Sequence, residues 1–196
     1  MNQSTTPPAQ VRIERLDGGP SIERAIAGLE RFPGFALLES SRDGGSYGRF
    51  SILAWSPVRT FELPPDGADP WTSLKQETSA VPAIAAEARP VPFVGGWVGY
   101  VGYEIGTVTE RIAPRASEAG SPPGMRFGLF DTAAVFDHDA RSWFAVAVDW
   151  PGGCGIERPS VDARLSEVRA FLRDAGDHQP VAVPVSTGPT PWRPPL

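Results

Sequence analysis

The segment VRIERL (11–16) alternates apolar and charged residues, the pattern of a strand with one face buried. The period changes after Ser21. Ile22, Ala25, Ile26 and Leu29 fall at i, i+3, i+4 and i+7, which predicts a short helix capped by Ser21 and ended by Phe32-Pro33-Gly34. Two strand-like runs follow at 35–41 and 48–55. Between them lies Arg42-Asp43-Gly44-Gly45-Ser46, and an Asp-Gly pair tolerates the positive φ of a tight hairpin turn. Residues 58–63 (VRTFEL) are expected to extend this meander, and 70–77 to form a short helix. A loop of low periodicity covers 78–91, and 92–104 is β-like and rich in glycine. MRFGLFDTAAVFDH (125–138) is then predicted to pair with SWFAVAVDW (142–150), in which Phe144, Val146, Val148 and Trp150 share one face. A helix near 161–173 closes the pattern, with Val161, Leu165, Val168 and Leu172 as its apolar stripe.

The order is thus β, α, a run of strands, then α. Hairpin-type links and the lack of repeated βα units point to an α+β fold with a mainly antiparallel sheet. No internal repeat of fixed period is present.

Composition adds boundaries rather than detail. The chain has 196 residues, with 18 basic and 23 acidic side chains, a net charge of −5. Basic residues are nowhere clustered as nucleic acid or a membrane surface would require. The longest apolar stretch, 91–103, is far short of the roughly 20 residues of a spanning helix. The polar start, MNQSTTPPAQ, is not that of a signal peptide. A soluble cytoplasmic protein is expected. Cys154 is the single cysteine, which excludes an internal disulfide framework or a cysteine zinc site. Among the 22 prolines, clusters at 64–70, 82–92 and 114–123 mark loops, and the proline-rich 177–196 is expected to be a linker or tail. Residues 1–9 are expected to be a second, disordered tail, leaving a domain over 10–176.

Most candidate chemistry has a plainer explanation. Gly96, Gly99 and Gly102 recur at intervals of three, which is neither a dinucleotide fingerprint nor a P-loop. A strand stripped of side chains so that a neighbouring backbone or ring can come close is the simpler reading. His138, between Asp137 and Asp139, sits at an expected hairpin tip, where a solvated turn is simpler than a metal site. His178 lies by the tail. The same two aspartates are simpler as turn residues than as an acid/base pair. Cys154, among glycines, has no base at hand and is expected to be a bystander. No catalytic residue and no metal ligand is assigned.

The hairpin end is richer. Glu39 and Ser40 close one strand, and Tyr47, Gly48, Arg49 and Phe50 open the next. A carboxylate, a hydroxyl and aromatic rings beside a buried strand suit a small amphipathic ligand such as an amino acid. An ion pair from Glu39 to Arg49 that closes a sheet edge is the plainer alternative.

Several stretches together carry a resemblance. Leu37-Leu38-Glu39-Ser40, the run Tyr47-Gly48-Arg49-Phe50-Ser51-Ile52-Leu53, the segment Phe93-Val94-Gly95-Gly96-Trp97-Val98-Gly99-Tyr100-Val101-Gly102-Tyr103-Glu104, and the hairpin from Phe127 to His138 occur in the order seen in one family. They resemble the N-terminal domain of anthranilate synthase component I and aminodeoxychorismate synthase component I, and the likeness covers roughly 10–175. The glycine-rich form is more similar to the aminodeoxychorismate branch, which serves p-aminobenzoate and folate, than to the anthranilate branch, which serves tryptophan.

The resemblance implies a sandwich-like domain with a few flanking helices, completed by a C-terminal chorismate-binding domain that is not in this sequence. It also implies a glutamine amidotransferase partner, and Mg²⁺ held only by that other domain. By itself the chain is expected to be an inactive fragment or truncated protein. The family's L-tryptophan pocket maps onto Ser40, Tyr47, Gly48, Arg49 and Phe50, with Glu39 as support. A stand-alone amino-acid sensor and a protein-interaction module remain as alternatives. With half of its sheets' neighbours missing, the chain is expected to expose an apolar face around Trp97 and Tyr100 and to be marginally stable or associating.

Overall fold

The computed structural model describes residues 9–39, 48–63, 69–85, 87–106, 110, 122–150 and 157–177. Within these, eight strands form two sheets whose ladders are all antiparallel. The chain runs through β1 (Gln10–Leu16), α1 (Ile22–Leu29), β2 (Ala36–Leu38), β3 (Phe50–Ala54), β4 (Arg59–Leu63) and α2 (Pro70–Ser79). It continues through β5 (Gly96–Val101), a 3-10 turn (Tyr103–Ile105), β6 (Met125–Phe130), β7 (Thr132–Asp137), β8 (Ser142–Asp149) and α3 (Val161–Ala175). The larger sheet has the order β1-β8-β7-β3-β2, and the smaller β4-β6-β5.

Three layers result. The even positions of β8 face one way and the odd positions the other, and both faces are covered. Trp143, Ala145 and Ala147 pack with Leu29, Leu165, Val168, Phe171 and Leu172 of α1 and α3. Phe144 and Val146 pack with Phe130 and Val98 of the small sheet. A strand buried on both faces must be apolar throughout, which is why 143–148 reads as an unbroken apolar run. At the helical layer, Phe32, Trp55 and Phe171 form an aromatic cluster with ring centroids 4.4–5.8 Å apart.

The helix ends follow ordinary capping chemistry in two cases. Asp69 accepts from Thr72 N ahead of Pro70. Ser160 accepts from Ala163 N at the start of α3. Ser21 stands at the N-cap of α1 as expected, but its side chain makes no cap bond.

Two expectations are corrected. Residues 58–63 do form a strand, yet β4 starts the second sheet instead of extending the first. Ser56, at φ 51°, and Pro57 turn the chain out of the large sheet. The expected strand 125–138 is two strands. It breaks at Asp131, which is buried and bound by Arg158 and Arg164, so that β6 and β7 lie in different sheets. The tail boundary also moves, since Ala9 is buried and bridges Ile84. The rest of both expected tails, apart from Asp177, lies outside the described residues. No helix among the described residues is long and apolar enough to cross a membrane.

Candidate functional site

The two halves of the predicted hairpin pair as β2 with β3, in the register Ala36↔Ala54, Leu37↔Leu53 and Leu38↔Ile52. On its other side β3 pairs with β7, and Phe50 lies opposite Asp137. The start of β3 and the β7–β8 turn therefore meet at one end of the large sheet.

Arg49 is the centre of that meeting. Its Nε donates to Asp137 Oδ1 at 3.1 Å and its Nη2 to Oδ2 at 2.7 Å, a forked pair that fixes the guanidinium plane. The guanidinium lies 4.8 Å over the Phe50 ring, and Asp139 approaches its Nε to 3.8 Å. Asp137 Oδ1 also accepts from the backbone N–H groups of Asp139 and Ala140. His138 donates its backbone N–H to Arg49 O, and its Nε2 lies 2.8 Å from the buried Ser51 Oγ. The Phe136 ring meets the imidazole edge-on.

The sequence placed these residues unevenly. Gly48 is buried, Phe50 half-buried and Arg49 exposed, all three at the start of β3. Glu39 is exposed at the end of β2. The ion pair expected between Glu39 and Arg49 is replaced by Arg49–Asp137, because the β3–β7 register puts Asp137 beside Arg49. Ser40, Tyr47, Cys154 and His178 lie outside the described residues. Asp137, expected in the turn, is the last residue of β7; its carboxylate caps the turn that follows and holds the arginine as well. His138 lies in the turn as expected but is half-buried, with Ser51 and Phe136 against its ring. No group of three or more His, Cys, Asp or Glu side chains among the described residues forms a metal cluster. Sequence reasoning missed the Asp137–Arg49 pair because only the sheet order brings the two together.

The Arg49 guanidinium holds the Asp137 carboxyl below the ordinary carboxylate range, against the opposing effect of burial and with help from the Ala140 and Asp139 N–H groups. A depressed carboxyl contributes stability above its unfolded value, near pH 4, and loses it as pH falls towards the folded value. Asp137→Asn is therefore expected to cost about 2 kcal/mol at pH 7, or a melting point lower by about 5 °C. That gap should shrink below about pH 4. Melting curves between neutral and acid pH check it, and a gap that stays constant would refute the assignment.

Chemically, Arg49 is a guanidinium neutralised by Asp137 and laid over the Phe50 ring at the mouth of a hairpin. A separate cavity of about 390 Å³ opens near the other end of β2, between Phe35, Ala36 and Phe32 and the Tyr100, Phe127 and Phe130 side of the small sheet. Tyr100 and Val101 are exposed there, and Tyr103 beyond them is 91% exposed, whereas Trp97 is half-buried and packs with Val148 and Trp150. The expected apolar face thus lies at Tyr100–Tyr103 and does not include Trp97.

No family model matches the chain. Individual proteins do. Anthranilate synthase component 1 of Streptomyces coelicolor is 36% identical over 149 residues, which are 71% of this chain and 26% of the relative. Aminodeoxychorismate synthase component 1 of Salmonella typhimurium is 29% identical over 134 residues, 62% of this chain and 30% of the relative. The chain belongs to the family of anthranilate synthase and aminodeoxychorismate synthase component I. It spans about a quarter to a third of the length of these curated relatives. The crystal structure of anthranilate synthase component I from Streptococcus pneumoniae superposes with a TM-score of 0.51 at 21% identity, covering 81% of this chain and 37% of the other. That likeness establishes the α+β fold.

Proposed function

We propose that the chain is the N-terminal, non-catalytic domain of component I of a chorismate-utilising synthase, in the aminodeoxychorismate branch. The observation that carries the reading is coverage. Component I proteins of both branches each match well over half of this chain, and the chain spans only a quarter to a third of them. The form Gly95-Gly96-Trp97-Val98-Gly99-Tyr100-Val101-Gly102-Tyr103-Glu104 supports the aminodeoxychorismate branch. The 36% identity to an anthranilate synthase component favours the anthranilate branch as the second reading.

In this proposal a C-terminal domain binds chorismate and Mg²⁺, and a glutamine amidotransferase supplies ammonia, all in the cytoplasm. This domain would contribute packing and a ligand pocket. That pocket would hold L-tryptophan or a similar amino acid, walled by Ser40, Tyr47, Gly48, Arg49 and Phe50, with Glu39 in support. The Phe50 ring beside the hairpin end supports it, since it suits an aromatic side chain, while Arg49, already paired with Asp137, would act by holding that ring.

Complementation tests the branch. The reading frame that contains this chain, expressed with its amidotransferase, should restore growth without p-aminobenzoate to a strain lacking aminodeoxychorismate synthase component I. Rescue of a tryptophan requirement alone would move it to the other branch, and rescue of neither would end the proposal. Calorimetry of the same protein with L-tryptophan should give heat that Ser40→Ala removes. Without such heat the amino-acid pocket is wrong, whatever the complementation shows.

A further inference from the structure

The cavity of about 390 Å³ at the Phe35 end of β2 has the size of a small-molecule site, for which roughly 300–1,000 Å³ is usual. Strand alternation puts Thr60, Val98, Tyr100, Arg126 and Gly128 on one face of the small sheet, and all five line this cavity. Gly128 keeps the floor open, since a Cβ there would stand 2.9 Å from the Phe130 ring and 3.1 Å from Pro57. At the mouth, Phe35 is 46% and Tyr100 41% exposed, so aromatic surface faces water from both sheets. A flat ring entering here would bury that surface and its own.

The wall is not wholly apolar. Arg126 is the one charged side chain that lines it among the described residues. Its ion-pair partner is Glu62, opposite it in the β4–β6 ladder, whose Oε1 lies 3.1 Å from Nε. Glu62 is not part of the wall, and the two side chains are 50% and 52% exposed. A pair so open to water contributes little and exchanges readily for another. Arg49 differs, because both arms of its fork are spent on the buried Asp137 carboxylate. Among the described residues the Nη groups of Arg126 donate no hydrogen bond, which leaves that edge of the guanidinium for a second anion.

We propose that this cavity binds a flat aromatic carboxylate of one or two fused rings. The ring lies against Phe35, Tyr100 and Phe127, and the carboxylate accepts from the Arg126 Nη groups, with the Thr60 hydroxyl on the same face as a further donor. The inference does not rest on the amino-acid pocket proposed above, which lies at the other end of β2. An amino acid is the poorer ligand here, because no carboxylate in the wall receives its ammonium group. A neutral ring is also poorer, since it leaves the guanidinium edge unused.

The probe is 6-fluoro-2-naphthoate, followed by ¹⁹F relaxation on the 196-residue chain, with 6-fluoro-2-naphthamide as the uncharged comparison. Saturable binding in the millimolar range is expected for the naphthoate, several-fold tighter than for the amide. Arg126→Gln should weaken the naphthoate by roughly three- to tenfold, to the level of the amide, and leave the amide unchanged. Glu62→Gln removes the competing acid and should tighten the naphthoate by about two- to threefold, which an arginine that merely holds the sheet would not produce. Thr60→Trp, at an exposed strand position, keeps Arg126 and should abolish binding of both probes by filling the cavity. Equal binding of the two probes, an unchanged preference in Arg126→Gln, no tightening in Glu62→Gln, full binding by Thr60→Trp, or no saturation at all would each overturn the proposal. So would displacement of the naphthoate by an equal concentration of L-tryptophan, which would assign the probe to the other pocket.

Discussion

Asp131→Ala is expected to destabilise the chain by about 3–5 kcal/mol, a large part of the 5–15 kcal/mol that holds a typical domain folded. Asp131 is 3% exposed and Arg164 2%. The carboxylate takes Arg158 Nε at 2.8 Å, Arg158 Nη2 at 2.9 Å and Arg164 Nη1 at 2.8 Å, and Thr132 Oγ1 donates to it from the next residue. Arg164 in turn donates to Val148 O at 2.7 Å and to Pro159 O at 3.1 Å. One side chain of α3 is thereby bolted to the end of β8 and to the corner where β6 passes into β7. Among the described residues, alanine removes the only carboxylate at hydrogen-bond distance from the Arg164 guanidinium; Asp149 approaches only to 3.8 Å. The buried charge then keeps only the more distant, exposed Asp149, and that loss exceeds any attraction the pair supplied.

The double variant Asp131→Leu with Arg164→Met separates these effects. It removes both buried charges and should recover much of the loss, because an apolar pair of similar volume has no ion to desolvate. Urea unfolding of parent, single and double variants measures it. A single-variant cost under about 1 kcal/mol would show that the network contributes no more than an exposed ion pair does.

Asp131 also marks where the sequence stops being informative. The period-2 pattern through 125–138 is real on both sides of it, so nothing local announces that the strand changes sheets. The break is set by two arginines from residues 158 and 164, reached only after the chain has folded back. The Arg49 cluster teaches the same point from the other direction. Gly48, Arg49 and Phe50 could be singled out by type, and the β2–β3 pairing was legible from the turn residues between them. The partner was not, since Asp137 joins Arg49 only through the order β7-β3-β2. By contrast α1, α3 and β8 were legible nearly to the residue, because each buries a stripe or a whole run against the others. Local period encodes which face is buried; it does not encode which strand lies alongside.

The glycine-rich strand gives the other large effect. Gly99→Ala is expected to cost more than about 3 kcal/mol, or to prevent recovery of folded chain, although it adds one methyl group to an extended residue. A Cβ at Gly99 would stand 2.0 Å from Arg126 O, 2.6 Å from Phe127 Cα and 2.7 Å from Phe127 Cδ1. Two of these three atoms are backbone of β6, which pairs with β5 through Gly99↔Phe127. They cannot yield as the tip of a long side chain can, so the strands must part locally and give up ladder hydrogen bonds. Parting them would also move Trp97, two residues before Gly99, and Tyr100, the residue after it.

Gly96 provides the contrast. Its φ is +131°, and nothing lies within 4 Å of a Cβ built there. Gly96→Ala should therefore cost only the strain of that backbone conformation, about 1–2 kcal/mol. The two glycines, three residues apart in one motif, thus answer to different constraints, close approach at one and dihedral freedom at the other. Thermal melts of the two variants should differ by several degrees, with Gly99→Ala the lower. A Gly99→Ala melt within about 2 °C of the parent would mean that β5 and β6 do not approach as closely as this geometry requires.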